Sequence, residues 1–500
     1  MLKMLIAAPA SGSGKTAVTC GMLELLNRKG LFPCAFKCGP DYIDPMFHRS
    51  VLNVDSHNLD LFLSDVGCVR NLFTRYSMEH EAAVCEGVMG LYDGLGGTTA
   101  QASAWHVAAT LGLPVILVMR PKGASLTLAA QIKGLASFVE EAKESLLNDS
   151  GAMMQGQGIT EHATEPGHQA NCEHQPGGRI AGVILNDCSA MLYQSLAPML
   201  EKNTGIPVIG YLPHMEEAAF ESRHLGLHTA GEIKDLKERI GRIADQMEES
   251  IDFSKLESVC NKEYLPVGDR ESSGIISLHE RGQLGSKESA KVRIAVARDE
   301  AFCFLYEEGI DTLRDAGAEI VWFSPLHDEA LPEDVDGLYL TGGYPELYVK
   351  ELSENASMRE SVRKAVDDGM PVIAECGGFL YLGRTLGDND GTMYPQAGVL
   401  PGSAVKKARL VRFGYAHLTA KEDSMLFRKG ESVPVHEFHY WDSTENGTAL
   451  HAIKPISSRS WDCGFVSDTM YAGFPHLYFT GNPKLAERFI EAAIQYRTSS

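Results

Sequence analysis

Met4–Ala8 is an unbroken apolar run that ends in Pro9-Ala10-Ser11-Gly12-Ser13-Gly14-Lys15-Thr16, and a helical pattern begins directly behind it. A strand that turns into a helix through such small residues starts a βαβ unit, which requires a parallel sheet covered on both faces. Gly14, Lys15 and Thr16 match the end of a GxxxxGK[ST] phosphate loop, although Pro9 occupies the first glycine position. Ser11, Gly12, Ser13 and Gly14 still let backbone N–H groups close around phosphate oxygens. Lys15 is expected to reach the transferring phosphate of ATP, and the Thr16 hydroxyl to help hold Mg²⁺.

Five hundred residues exceed what one hydrophobic core supports, so more than one domain is expected. Strand-like runs at Leu2–Ala8, Glu81–Val88, Leu113–Met119, Arg179–Leu185 and Ile206–Leu212 alternate with helical patterns. A second α/β series runs through Val292–Ala297, Glu319–Phe323, Gly337–Leu340 and Pro371–Ala374 and closes with a helix from Lys484 to about Tyr496. The expected organisation is an ATP-binding domain over 1–235, carrying a mobile insertion at 148–178 rich in Gly, Gln, His, Glu and Pro. A helical segment and linker follow at 236–291, then a second α/β domain over 292–500.

The formal net charge of −21 argues against a nucleic-acid partner, because a phosphate backbone needs a basic face. No apolar run approaches the roughly 20 residues of a membrane span, so the expected location is the cytoplasm. Eleven cysteines without a CxxC pair do not read as a disulfide or zinc framework, and Cys34 and Cys38, the closest pair, read as buried thiols.

Two acidic segments lie at strand ends, where open α/β sheets bind ligands: Lys37-Cys38-Gly39-Pro40-Asp41-Tyr42-Ile43-Asp44 and Glu86–Asp93. One or two of their carboxylates suffice for Mg²⁺, which keeps several waters. Lys37 and Arg223 are the local positive charges for a carboxylate or phosphate.

Far downstream, Cys376 stands between the apolar run Pro371–Ala374 and the Gly377-Gly378 step that opens a helix. The turn exposes sulfur to substrate, and the helix N-terminus is expected to lower the thiol pKa. The Gly377 N–H is a natural oxyanion donor, and the strand-end pair Gly342-Gly343 supplies a second at Gly343. His476, in Gly473-Phe474-Pro475-His476, is the expected general base and then acid toward ammonia. His436-Glu437-Phe438-His439 lacks HExxH spacing and a third ligand, and reads as a structural or substrate-lining element.

With both motifs in one chain, the sequence resembles the cobyrinate a,c-diamide synthase family of cobalamin-pathway glutamine amidotransferases. The matching segments are Ser11–Thr16, Lys37–His48, Asn58–Leu63, Glu86–Gly94, Glu221–Leu227, Gly342–Tyr348, Glu375–Tyr381 and His436–Tyr440. The resemblance implies a dethiobiotin-synthetase-like P-loop domain followed by a class I glutamine amidotransferase domain. It implies amidation of the a and c acetates of cobyrinate through acyl phosphates, with two ATP and two L-glutamine consumed. Cys376 would be the nucleophile activated by His476. Lys15, Thr16, Asp41 and Glu86 would serve nucleotide and Mg²⁺, and Lys37, Asp41, Tyr42, Asp44, Asp93 and Arg223 the substrate and acyl phosphate. Ala416-His417 stands where Arg-Glu is usual, and Val435 where glycine often precedes the histidine at 436. Tyr478 stands where many class I glutaminases carry Glu, which implies a Cys–His pair without a third member. The same chemistry on hydrogenobyrinate or nickel-sirohydrochlorin is the nearest alternative, and a homodimer is left open. A non-catalytic ParA-like P-loop switch is disfavoured, since Ala10 and Ser11 stand where such switches carry a further lysine.

Overall fold

The computed structural model describes residues 1–139, 141–142, 175–216, 230–266 and 291–499. Arg223 and residues 148–174 of the expected insertion therefore lie outside the described residues. The chain divides into two compact units, Met1–Leu61 with Val66–Glu271, and Ser272–Ser500 with the short segment Phe62–Asp65. Among the described residues no helix is long and apolar enough to cross a membrane.

The first unit is built on strands β1 (Leu2–Ala7), β2 (Pro33–Cys38), β3 (Ser56–Leu59), β4 (Ala82–Glu86), β5 (Val115–Met119), β6 (Gln175–Pro176), β7 (Ile180–Asn186) and β8 (Val208–Leu212). Seven of them form a sheet in the order β3-β2-β4-β1-β5-β7-β8, and every pairing in it is parallel. The strands read as continuous apolar runs because both faces are covered, one by a cluster around Trp105 and Leu117, the other around Val18 and Ile116. β6 stands apart, pairing in parallel with β9 (Tyr264–Leu265), so the last residues of the expected insertion are tied down.

The helical segment expected at the start of 236–291 is two helices, Ala230–Ser250 and Phe253–Cys260. Asp252 separates them, its side chain accepting from the Lys255 N–H at 3.0 Å as an N-cap. The first helix crosses the expected boundary at 235 and packs in the first unit. Leu236, Ile240, Ile243 and Met247, at helical spacing, are buried against Val18, Met22 and Leu25 of α1 (Lys15–Arg28). Gly21 permits this approach, since a Cβ there would lie 2.5 Å from the Met247 sulfur.

In the second unit β10 (Val292–Ala297), β11 (Ala318–Phe323), β12 (Gly337–Leu340) and β13 (Val372–Glu375) run parallel. Met470–Gly473 extends this sheet in parallel beside β13, and Phe465–Val466 closes it antiparallel. The sequence reading had no strands between 385 and 466, where the structure has most strands of two further sheets, one antiparallel and one mixed, with Thr385–Gly387 parallel to Ser403–Lys406. One orders Ser460–Cys463, Leu450–Ile453, Arg412–Ala420, Ser432–His439 and His476–Leu477; the other is built from four short strands between Thr385 and Ser443.

Candidate functional site

Register places the first cluster. On adjacent strands Lys37 pairs with Glu86, and Glu86 with Ile6, so both charged side chains emerge beside the end of β1 where the phosphate loop begins. Gly14 caps α1 in the left-handed conformation with φ 92°, and a Cβ there would fall 2.0 Å from Asn186 Nδ2. Only glycine fits. Two strand ends pin the loop's carbonyls: Asn186 Nδ2 donates to Ser13 O at 2.9 Å, and Arg120 donates to Gly12 O at 3.1 Å. Neither Asn186 nor Arg120 was singled out from the sequence, although polar residues ending the apolar strands at β5 and β7 were a visible signal.

Around the loop, Thr16 Oγ1 donates to Glu86 Oε1 at 2.7 Å, and Lys37 Nζ donates to the same oxygen at 3.1 Å. Lys37 also pairs with the buried Asp44 carboxylate. Asp41 Oδ1 accepts from the Ile43 and Asp44 N–H groups at 2.8 and 3.2 Å, turning the chain into the helix Ile43–Leu52. Tyr42 is buried at that helix start. Asp93 accepts from Gly90 N at 2.9 Å, which folds the loop after β4. Lys15 Nζ donates to Met89 O at 2.5 Å and Ala10 O at 3.4 Å.

These charges perturb each other strongly. Burial, then the neighbouring Lys37 ammonium, lowers Lys15 to about 8. Burial works against the Lys37 charge, yet Asp44, Glu86 and Asp41 together hold it well above the ordinary lysine value. Burial raises Glu86 to about 7, partly offset by Lys37. Burial and the Asp44 carboxylate raise Asp41, whereas Lys37 outweighs burial and keeps Asp44 low. Glu86 Oε2 is buried without a hydrogen-bond partner among the described residues. It is an oxygen that a cation would complete, with the Thr16 hydroxyl beside the other carboxylate oxygen.

The second cluster sits at the end of β13. Cys376 takes φ 46° and ψ −97°, a conformation few L-residues adopt, and it caps the helix Gly377–Leu382. Its N–H donates to Gly473 O at 2.8 Å, tying the turn to the neighbouring strand that leads to His476. A Cβ on Gly377 would stand 3.0 Å from the Gly343 nitrogen, so the two expected oxyanion donors lie together. The thiol differs from expectation. Burial first, then the Glu346, Glu437 and Glu375 carboxylates, push it well above the usual thiol range, and the six-residue helix does not overcome them.

His476 is buried in the short strand His476–Leu477, opposite His436 in register. Its ring lies against Gly342, where a Cβ would be 2.6 Å from Cε1. Nδ1 stands 3.5 Å from Glu375 Oε2, a proximity that the sequence reading missed. Burial, then His476, lowers His436 to about 3. His439 stacks on Phe474 at 3.6 Å with Nδ1 2.6 Å from Trp441 O. This is a packing arrangement, and among the described residues no three or more histidine, cysteine or acidic side chains cluster as a metal-binding group.

Residues 4–227 match the CobQ/CobB/MinD/ParA nucleotide binding domain, and residues 293–484 match the CobB/CobQ-like glutamine amidotransferase domain. The class is therefore a two-part glutamine amidotransferase, with a P-loop nucleotide-binding domain ahead of the amidotransferase domain. Among similar proteins, a cobyrinate a,c-diamide synthase of Caldanaerobacter subterraneus subsp. tengcongensis is 35% identical over 97% of this chain and 97% of its own length. Those of Clostridium tetani and Salmonella typhimurium are 34% and 35% identical, each over 98% of this chain and covered over 100% and 97% of their lengths. The chain belongs to the cobyrinate a,c-diamide synthase family.

Proposed function

We propose that the chain is a cytoplasmic enzyme that amidates the a and c acetate carboxylates of cobyrinate, at the expense of ATP and L-glutamine, in cobalamin biosynthesis. The observation that carries this reading is the presence, in one chain of this family, of a P-loop cluster and a strained Cys376 turn beside a buried histidine.

A carboxylate is a poor electrophile at neutral pH, so it first attacks the γ-phosphorus of ATP and becomes an acyl phosphate, releasing ADP. Lys15 leaves the Met89 and Ala10 carbonyls for the phosphate, and the loop N–H groups donate to its oxygens. Thr16, Glu86 and Asp41 would hold magnesium, which when bound neutralises phosphate charge. Lys37, fixed between Asp44 and Glu86, faces the acyl phosphate with Tyr42 and Asp93. Arg223 is assigned to the same anionic substrate.

At the other cluster the Cys376 proton moves to His476 Nε2 as sulfur adds to the glutamine side-chain carbonyl. The Gly343 and Gly377 N–H groups stabilise the oxyanion. The imidazolium returns the proton to the leaving amine, ammonia departs, and water hydrolyses the thioester to glutamate. Ammonia then displaces phosphate from the acyl phosphate.

Incubation of the full chain with ATP, Mg²⁺, glutamine and a panel of tetrapyrrole polycarboxylates tests the reading. Mass spectrometry should find two carboxyl-to-amide conversions on cobyrinate. Consumption of ATP and glutamine with no macrocycle amidated overturns it, and conversion of hydrogenobyrinate or nickel-sirohydrochlorin instead would reassign the substrate.

A further inference from the structure

We infer that Glu375, the residue immediately before the cysteine turn, orients His476 as the third member of the glutaminase site, a role that rests on the reading of Cys376 and His476 above. Two residues after the histidine, Tyr478 points its hydroxyl at Glu308 Oε1, 3.2 Å away, so that position supplies no carboxylate to the ring. Glu375 does, from a different element. β13 and Met470–Gly473 are paired in parallel with Glu375 opposite Gly473. The chain leaving that strand turns back through Phe474 and Pro475, and His476 arrives beside the glutamate that ends the neighbouring strand.

The carboxylate is built in on three sides. Its side chain and that of His476 are each only 2% exposed. Oε1 accepts from the Leu477 N–H at 2.9 Å, and Oε2 accepts from the Tyr339 hydroxyl at 3.0 Å while standing 3.5 Å from His476 Nδ1. Gly342 backs the other side of the ring, 3.4 Å from Nδ1 to a would-be Cβ. A carboxylate at Nδ1 selects the tautomer with the proton on Nδ1, leaves Nε2 as the acceptor, and stabilises the imidazolium formed when the thiol gives up its proton. That help is needed here, since burial and carboxylates hold the Cys376 thiol protonated at rest. The same Glu375 charge that opposes a lone thiolate favours the thiolate–imidazolium pair. Glu375 is thus a positioning residue, acting through His476.

The test uses the full chain. Glu375→Gln keeps the acceptor for Leu477 N–H and removes the charge. Glutaminase kcat should fall about 100-fold with KM within about threefold, and the acid limb of the kcat/KM profile should move to lower pH. Ammonia-dependent amidation should persist. A wild-type kcat and pH profile in Glu375→Gln overturns the role. Because that variant replaces a buried group, a second measurement is made on the wild-type protein: a low-field His476 Nδ1 proton resonance, assigned by its loss in His476→Gln. Its absence from the wild-type spectrum also overturns the role. The underlying reading fails separately, if His476→Ala retains glutamine-dependent turnover.

Discussion

Cys376 combines a strained backbone with an environment hostile to its anion. The turn holds Cys376 at φ 46°, and burial with three nearby glutamates raises the thiol. Such surroundings favour the neutral thiol at rest, and in the proposed reaction the proton passes to His476 as sulfur attacks. Cys376→Ala should abolish glutamine-dependent amidation while amidation with added ammonium salt survives, measured as macrocycle amide formed per minute. Equal loss of both activities would contradict separate roles for the two clusters. A second residue-scale expectation concerns His439, which burial lowers to about 4. The folded state keeps this ring neutral, whereas the unfolded chain binds a proton below about 6.5. Between those values the unfolded state holds more protons, so stability falls as pH drops from 6.5 to 4, by about 3 kcal/mol from this ring alone. His439→Gln removes that term. The urea-midpoint gap between wild type and variant should be widest near pH 7 and should shrink toward pH 4; a pH-independent gap would refute it.

At the scale of elements, both clusters are assembled by strand ends, and that is why much of them was legible. The apolar run before Pro9, the Gly-Lys-Thr step and the Cys-Gly-Gly step are local signals, and each strand-to-turn-to-helix passage appears where its sequence places it. Strand order was not legible. That Lys37 meets Glu86, or that Glu375 meets the chain leading to His476, depends on the β2–β4 and β13 pairings, which no local pattern encodes. Most strands between Thr385 and Val466 were missed because they are two to four residues long, too short to show a period, and the longest, Arg412–Ala420, alternates buried with half-buried residues only in its second half. The helix Ala230–Ser250 shows the reverse case. It was read as a helix but assigned to the segment joining the domains, while Ile240, Ile243 and Met247 are fully buried against α1. α1 carries Lys15 and Thr16 at its N-terminus, so the packing behind it supports the phosphate loop. Ile243→Ala should cost about 3 kcal/mol by transfer and cavity terms. It should lower the urea midpoint of the transition that ATP protects, and an unchanged midpoint would show that the helix is dispensable to the first unit.

For the whole molecule, the question is why two chemistries share one chain. Ammonia in bulk water at neutral pH is mostly protonated and therefore not a nucleophile, and an acyl phosphate exposed to water hydrolyses. Covalent linkage replaces an encounter between two dilute species with transfer inside one molecule. This predicts how defective molecules behave together. Lys15→Ala should lose ATP-dependent product while keeping part of its glutamine hydrolysis, because Lys15 lies in the first cluster alone. Cys376→Ala should retain synthesis from ammonium salt. If nitrogen passes within a molecule, a one-to-one mixture of the two variants with glutamine, ATP and cobyrinate should make product far more slowly than the same amount of wild type. Its rate should match that of Cys376→Ala supplied with the ammonia that Lys15→Ala has released into solution. Raising the pH, which deprotonates the released ammonia, should narrow the deficit, and isotope dilution by unlabelled ammonium should erase label from [amide-¹⁵N]glutamine in the mixture but not in wild type. A mixture as fast as wild type, with label retained, would mean that nitrogen crosses between molecules and would remove the argument for linkage.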